Sequence, residues 1–297
     1  MICTRLNGGL GNQMFQYALG RAISIKNKTE LILDTSILDK NFDSKAEVVR
    51  DFELGIFEIE GRKATVREIN FYNPLIYKIT NSLLLRFGFK GITNTKYYIE
   101  QSFSYDYNVL KVSKNSFLSG YWQSPLYFES IENVIRKDFK FPTLNDQKNV
   151  DISKKIISSN SVSIHIRRGD FLNTIIHGIH GTCSLDYYKS SISYIYTKIT
   201  DPIFFIFSDD IEWVKENLKL DSERYYISGN NGNNSYIDMQ LMSYCKHNII
   251  ANSSFSWWGG WLNKNPLKIV IAPKVWFTDN NINQQTNNLL PKTWIRK

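Results

Sequence analysis

The chain has 297 residues, of which 42% are hydrophobic and 14% aromatic, so we expect a sizeable core, and the length favours about two domains. The formal net charge of +8 favours an anionic partner, such as a nucleotide, a nucleic acid or an acidic membrane surface, without choosing among them. The 3 cysteines are scattered, and the apolar tract at 79–89 is too short to span a bilayer. We therefore expect a cytoplasmic protein without a signal peptide or a disulfide framework.

The first predicted elements are a strand over residues 1–6, a glycine-rich turn over residues 7–13 and a helix. A strand, a glycine turn and a helix in this order are typical of a nucleotide-binding unit, because the backbone amides of the turn face a ligand. Gly9 and Gly11 match the first two glycines of the dinucleotide fingerprint, but Met14 occupies the third position and a P-loop lysine is absent. We therefore predict the tight turn and no dinucleotide.

Residues 38–107 show no regular periodicity, and we interpret them as short helices and loops. A strand is predicted over residues 115–120 and a helix over residues 127–139. The segment 120–124, Gly-Tyr-Trp-Gln-Ser, mixes polar and aromatic side chains. That mixture suits either a sugar-binding surface or packed core at a domain edge. The polar segment 144–151 has no periodicity and predicts a domain boundary.

The second half of the chain is predicted to form a parallel sheet with helices on both faces. Short apolar strands alternate with amphipathic helices there. The predicted strands cover residues 161–166, 203–207, 224–227, 247–251 and 268–272.

Three of these strands end in polar groups of complementary type. Arg167 and Arg168 offer planar forks that suit a diphosphate, and Asp209 and Asp210 offer carboxylates for a purine N–H edge or a ribose hydroxyl. Hydroxyls and backbone amides at a helix start bind phosphate. Because the carboxyl ends of parallel strands meet at one edge, these groups predict a pocket for a nucleotide diphosphate. The serines concerned are Ser253, Ser254 and Ser256.

Each group also has a simpler interpretation. The aspartates and serines could be ordinary helix caps, and the arginines a surface pair. Their coincidence at three strand ends favours the pocket. Asp209 and Asp210 could instead bind a divalent metal, but the arginines and serines already supply charge neutralisation, so we expect neither a metal nor another cofactor. The 4 scattered histidines do not suggest a metal site of another kind.

Four motifs, spread over nearly the whole chain, resemble those of a known protein family. They are GGLGNQMFQYA at 8–18, HIRRGD at 165–170, FSDD at 207–210 and NSSFSWW at 252–258. In this order they resemble the motifs of the bacterial α-1,2-fucosyltransferases, glycosyltransferase family 11. The length also fits that family.

The resemblance implies an α/β fold of GT-B type, with two Rossmann-like domains facing across a cleft. Residues 1–150 would form the acceptor-side domain and residues 151–297 the domain that binds GDP-fucose. The implied reaction is metal-independent, inverting transfer of L-fucose from GDP-fucose to the 2-hydroxyl of a terminal galactose. A role in surface polysaccharide or O-antigen synthesis is expected, with peripheral contact to the inner membrane as an open alternative.

The resemblance also assigns roles in the second domain. Arg167 would bind the β-phosphate and stabilise the charge that grows on the departing diphosphate. His165 and either Asp209 or Asp210 would lie at the guanine or the ribose. Ser254 and Ser256 would hold phosphate oxygens, and Arg168 and Ser253 complete this part of the donor site. In the first domain, Asn12 would reach toward the sugar or diphosphate, and glycines would let the backbone approach closely. These glycines are Gly8, Gly9 and Gly11.

The general base is the least defined assignment. Other fucosyltransferases place a glutamate shortly after the arginine motif, but residues 172–184 contain no acidic residue. His180, which matches a histidine-glycine pair in the family, has a suitable unperturbed pKa. Asp170 is the rival, although its spacing suits a residue that fixes the arginine fork. A loosely bonded transition state that needs no strong base is the third alternative.

Two other functional classes are compatible with the basic charge. A non-catalytic nucleotide- or RNA-binding protein would explain the charge, but the sequence shows no base-stacking module, so we expect no nucleic-acid partner. A glycosyltransferase with another nucleotide sugar is the closer alternative.

Overall fold

A computed structural model describes residues 1–38, 51–72, 96–168 and 181–297. The chain divides into two compact units, Met1–Lys140 and Phe141–Lys297. The sequence placed the boundary at 150/151, which lies inside the helix Gln147–Ser158 of the second unit. This helix begins at Asp146, whose side chain accepts a hydrogen bond from the Asn149 amide. The polar segment therefore includes a helix cap, and the boundary between the two units comes before this segment.

In its described residues, the first unit contains a five-stranded sheet in which all neighbouring strands are parallel. Its elements are β1 Ile2–Arg5, α1 Leu10–Lys26, β2 Leu31–Asp34, β3 Arg62–Lys63, α2 Val66–Phe71, β4 Lys96–Ile99, β5 Ser116–Ser119 and α3 Glu132–Asp138. The strand order is β3-β2-β1-β5-β4.

Helix α1 packs closely on β1 through a glycine. A Cβ atom added at Gly20 would lie 2.2 Å from Thr4 Oγ1, so no larger residue fits without a shift. The helix is also held by buried amide side chains. Gln13 Nε2 donates to Gly8 O at 2.8 Å, and Gln16 Oε1 accepts from the Asn7 amide at 2.9 Å. These bonds fix the glycine turn against the start of the helix.

In its described residues, the second unit contains a six-stranded parallel sheet with the order β11-β10-β9-β6-β7-β8. Its elements are α4 Gln147–Ser158, β6 Ser161–Ile166, α5 Leu185–Tyr196, β7 Ile203–Ser208, α6 Ile211–Asn217, β8 Arg224–Ile227, α7 Tyr236–Tyr244, β9 His247–Ile249, α8 Ser254–Leu262, β10 Val270–Ala272, α9 Asn280–Asn283 and β11 Ile295–Arg296.

Helices cover both faces of this sheet, as the alternating order of strands and helices predicts. Along β7, Phe204 and Ile206 join a core cluster with α5 and α6. Phe205 and Phe207 point the other way and join a cluster with α4 and α7. Successive side chains of a strand face opposite sides, so one apolar run serves both layers. All six residues of β6 are buried at the centre of the sheet.

The sequence missed several short elements. Strand β4 lies in the region that we interpreted as loops and short helices, and Tyr97 of β4 stacks on Phe117 of β5 with ring centroids 4.7 Å apart. Strands β3 and β11 have two residues each, too few for a periodic pattern. In the parts of the chain that the structure describes, none of the helices is both long and apolar enough to cross a membrane.

Candidate functional site

The candidate site lies at the carboxyl edge of the second sheet, where β6 runs between β9 and β7. His165 is in register with Phe207, and Ile166 with Ser208, so the turns after β6 and β7 leave the sheet side by side. Strand β9 pairs with the other side of β6 through Ile249. The topology therefore brings the arginine, aspartate and serine turns to one edge.

Two ion pairs join the first two of these turns. Arg167 Nε lies 3.2 Å from Asp209 Oδ2, and Arg168 Nε lies 3.4 Å from Asp210 Oδ2. The other oxygen of Asp209 accepts the backbone N–H of Arg168 at 2.8 Å. One carboxylate thus holds both the main chain and a guanidinium of the arginine turn. The side chains of Arg167 and Asp209 are 27% and 23% exposed, so a ligand can reach the pair.

Arg168 is fixed from a second side by an aromatic ring that the sequence did not identify. Its guanidinium carbon lies 3.7 Å from the centroid of Trp213, in cation–π contact. The Trp213 amide in turn donates to Asp210 Oδ1 at 3.2 Å, which caps α6. The same aspartate therefore caps a helix, as one of the two sequence interpretations had it, and also pairs with an arginine, which the sequence did not predict.

His165 is buried, with 6% of its surface exposed. Burial, and secondarily the charge of Arg167, lower the pKa of His165 to about 3, so the imidazole is neutral at physiological pH. Its ring lies 5.9 Å from that of Phe255, and among the described residues Nδ1 has no hydrogen-bond partner. This geometry gives a neutral side chain of limited access beside the arginine turn.

The three serines have different environments. Ser253 caps α8, and its side chain accepts from the Phe255 amide at 3.3 Å. Ser254 is the first residue of that helix and is partly exposed. Ser256 is fully buried, and its hydroxyl lies 3.4 Å from Ser253 O and 3.5 Å from Ala251 O. The site edge therefore offers Ser254 and the amides of the first turn, whereas the Ser256 hydroxyl faces its own helix.

Asn252, just before these serines, anchors the segment. Its Nδ2 donates to Gly181 O at 3.2 Å and to Trp276 O at 3.1 Å. The Cys183 thiol lies 3.4 Å from Asn252 Oδ1. These contacts tie the helix start to two loops of the second unit.

A further carboxylate at the same edge was not predicted. Strand β8 lies beside β7, and Asn230 in the loop after it donates from Nδ2 to Asp238 Oδ1 at 2.7 Å. Asn149 at the start of α4 donates to Asn230 at 2.8 Å. Burial raises the pKa of Asp238 to about 7, against the opposing effects of Asn230 and Lys148. An aspartate among apolar residues in the first turn of α7 was the only sequence signal.

In the glycine turn of the first unit, the backbone conformation and the close neighbours require glycine at position 8. Gly8 has φ +74°, and a Cβ atom at this position would lie 2.6 Å from Asn12 Nδ2. Gly9 is extended and precedes the first residue of α1, and Gly11 lies within the helix. Asn12 Oδ1 accepts from Gln123 Nε2 at 2.8 Å.

The proposed bases, His180 and Asp170, both lie outside the described residues. Among the residues that the structure does describe, there is no group of three or more histidine, cysteine, aspartate or glutamate side chains that could hold a metal ion.

Comparison with solved structures defines the fold. The fold matches NodZ α-1,6-fucosyltransferase co-crystallised with GDP, with a TM-score of 0.50, 12% identity and coverage of 87% of this chain and 90% of NodZ. It also matches a variant of Arabidopsis thaliana FUT1 in complex with GDP, with a TM-score of 0.50, 11% identity and coverage of 91% and 70%. The predicted α/β fold of GT-B type, built from two Rossmann-like units, is confirmed.

The chain belongs to glycosyltransferase family 11, whose family model matches residues 74–296. It is 37% identical to the Escherichia coli O-antigen biosynthesis glycosyltransferase WbnK, with 98% of both chains covered. It is 36% identical to an E. coli alpha-1,2-colitosyltransferase, with 100% of this chain and 98% of the relative covered. Galactoside alpha-(1,2)-fucosyltransferase 1 of Rattus norvegicus is 25% identical over 49% of this chain. The family that the four motifs indicated is confirmed, and the protein is a glycosyltransferase.

Proposed function

We propose that this enzyme transfers L-fucose from GDP-fucose to the 2-hydroxyl of a terminal galactose, with inversion at the anomeric carbon and without a metal ion. The arginine turn held by Asp209 and Asp210 beside the start of α8 is the observation that carries the proposal. Two fixed guanidinium groups and a helix N-terminus form a cradle for a pyrophosphate.

In the proposed step, the galactose hydroxyl oxygen attacks C1 of fucose while the bond from C1 to the β-phosphate oxygen breaks. The bonding electrons leave with GDP, and negative charge grows on the β-phosphate. Arg167 meets this charge, and because Asp209 already fixes its guanidinium, little reorganisation accompanies the step. The departing hydroxyl proton passes to a base, for which His180 and Asp170 remain the candidates.

The guanine contact is reassigned within this proposal. Asp209 and Asp210 both pair with arginines, so they serve to orient the phosphate-binding groups. Asp238 makes its hydrogen bond with an amide and lies in the first turn of α7, the helix that follows the next strand, β8. We assign to it the purine N–H edge, with His165 as a neutral neighbour of the nucleotide.

The relatives support the acceptor and pathway parts of the proposal. WbnK carries O-antigen biosynthesis in its name, and the more distant rat relative is a galactoside alpha-(1,2)-fucosyltransferase. We therefore place the reaction in O-antigen or related surface-polysaccharide synthesis, with a galactoside glycan as the acceptor.

The test is a direct assay, in which the purified enzyme receives GDP-fucose and a panel of galactosides and the product linkage is determined by NMR. We expect an α-1,2-linked fucose on a terminal galactose, with undiminished turnover in EDTA. A product linked elsewhere, or the lack of any transfer with the complete panel, would contradict the proposal.

GDP-colitose is the second candidate donor, because one relative at 36% identity is named an alpha-1,2-colitosyltransferase. Colitose is L-fucose without the 3-hydroxyl, so the same phosphate and guanine contacts would serve both donors. Competition between GDP-fucose and GDP-colitose at equal concentration separates the two. The ratio of their kcat/KM values identifies the donor that the enzyme prefers.

A further inference from the structure

The loop that follows β5 in the first unit has an unusual construction. Trp122 has φ +56°, a left-handed conformation that side-chain-bearing residues seldom adopt. Its indole is fully buried and packs edge-on against Tyr127, with ring centroids 5.8 Å apart. Such a conformation persists only where the surroundings enforce it, and strain of this kind concentrates at functional sites.

A partly buried carboxylate enforces the conformation. Glu100 accepts the backbone amides of Tyr121 at 2.7 Å and of Trp122 at 3.0 Å, one with each oxygen. Burial raises the pKa of Glu100, while the two amide bonds oppose that effect. A Cβ atom at Gly120 would lie 2.4 Å from the Cβ of Glu100, so only glycine permits this close approach.

The same loop is bonded to the glycine turn. Gln16 Nε2 donates to Gly120 O at 3.1 Å, and Gln123 Nε2 donates to Asn12 Oδ1 at 2.8 Å. Because β5 lies directly beside β1, the loop and the turn share the carboxyl edge of the first sheet. The loop is thus held by a carboxylate on one side and by amides on the other.

Tyr121 is the part of this loop that faces solvent, with 41% of its surface exposed between the buried Trp122 and the tight Gly120. A flat ring on a rigid backbone loses little conformational entropy when a ligand stacks on it. Galactose presents an apolar face of C–H groups on the side opposite its axial 4-hydroxyl. The loop of Tyr121 and the adjoining glycine turn also carry the Gln123 and Asn12 amides, which are polar groups of the kind that bind sugar hydroxyls.

We propose that the Tyr121 ring is the stacking platform for the acceptor galactose, and that Glu100 is the residue that positions it. This inference rests on the proposed function, because it names the part of the first unit that binds the acceptor of that reaction.

The test compares Tyr121→Ala, Tyr121→Phe and a control, Tyr107→Ala, which removes another tyrosine of the same unit that is 57% exposed. We expect Tyr121→Ala to raise the acceptor KM by about tenfold or more, which corresponds to about 1.4 kcal/mol. The donor KM and the slow hydrolysis of GDP-fucose should stay unchanged. Tyr121→Phe keeps the ring and should behave like the wild type, as should Tyr107→Ala.

The positioning role of Glu100 has its own measurement. Glu100→Gln keeps the shape of the side chain but replaces one amide acceptor with a donor, so the loop loses its fixed conformation. We expect a raised acceptor KM with an unchanged GDP affinity, even where the melting temperature falls. A GDP affinity that falls together with the acceptor affinity would show a merely structural role.

A second readout separates failure of this inference from failure of the proposed function. Saturation-transfer NMR with methyl β-galactoside measures acceptor binding without any donor. Loss of the signal in Tyr121→Ala and its retention in Tyr121→Phe support the platform, whichever nucleotide sugar the enzyme uses. An equal signal in wild type and Tyr121→Ala, or an acceptor KM within twofold of wild type, would overturn it.

Discussion

At the scale of single residues, the geometry of the site depends on which aspartate pairs with which arginine. Asp209 binds both the Arg167 side chain and the Arg168 amide, a positioning role for which the sequence had suggested only Asp170, which lies outside the described residues. Sequence spacing predicted that the arginine, aspartate and serine turns lie at one sheet edge, and the strand order places them there. It could not pair them, because the partner of each arginine follows from the parallel register of β6 and β7.

The Asp209–Arg167 pair gives a first prediction. Asp209→Asn removes the charge that fixes the guanidinium, so kcat should fall by about 10- to 100-fold, and Arg167→Ala should cost about 100- to 1,000-fold. Steady-state kinetics with GDP-fucose and a galactoside measure both. Asp221→Asn, at an exposed position of the same unit, is the control. An Asp209→Asn enzyme within twofold of wild type would remove the positioning role.

Asp238 gives a prediction about pH. Its pKa is raised to about 7 in the free protein, and guanine N–H donors would stabilise the ionised form. GDP binding should therefore weaken as the pH falls below 7, approaching tenfold per pH unit. Calorimetric titration of GDP from pH 5.5 to 8 measures this slope. Asp238→Asn should bind more weakly and lose the pH dependence that the carboxylate supplies.

The raised pKa of Asp238 also predicts how the folding stability of the ligand-free protein changes with pH. A carboxyl whose folded pKa lies above its unfolded value, near 3.9, is destabilised in its charged form by folding. The contribution of Asp238 to stability therefore decreases as the pH rises from about 4 to about 7. Asp238→Asn should flatten that part of a denaturation curve measured against pH. If Asp238→Asn shows the same pH dependence of stability as the wild type, that dependence comes from other groups.

At the scale of elements, the close packing of α1 on β1 in the first unit can be tested by comparing alanine substitutions at two glycines. Gly20→Ala would push a Cβ atom to 2.2 Å from Thr4 Oγ1 and should destabilise the fold by about 1–3 kcal/mol through overpacking. Gly55→Ala meets only ordinary contacts at 3.5 Å and should change stability by less than about 0.5 kcal/mol. Urea denaturation measures both. Equal effects would mean that α1 can shift without cost.

The longer strands and helices of the second unit were predictable because they carry apolar runs or periodic patterns. Strand β7 supplies apolar residues to both layers, and α5 has a Ser184 cap whose side chain accepts the Tyr187 amide. Strand β4 was missed because its four residues mix lysine, two tyrosines and isoleucine, and its parallel pairing with β5 is a contact that the local pattern does not show. Trp122 was ambiguous as sugar contact or core, and its complete burial assigns it to the core.

At the scale of the whole molecule, the formal charge of +8 gives a prediction about surfaces. We expect the protein to bind vesicles that contain anionic lipid at low ionic strength and to be released at about 0.5 M salt, where charges are screened beyond a few ångströms. Flotation with anionic and zwitterionic vesicles measures this. Equal binding to both compositions, or binding insensitive to salt, would exclude an electrostatic attachment.

The burial of β6 has a consequence for how the molecule works over time. Every residue of this strand is buried, and strands pair with it on both sides, so its amides should exchange with deuterium only when the whole unit opens. Arg167 and Arg168 directly follow this strand, so we expect their backbone to stay anchored when less protected parts of the unit open. We therefore expect the motions that admit substrate and release product to lie in other segments. The guanidinium groups of Arg167 and Arg168 would then keep the same positions in successive turnovers.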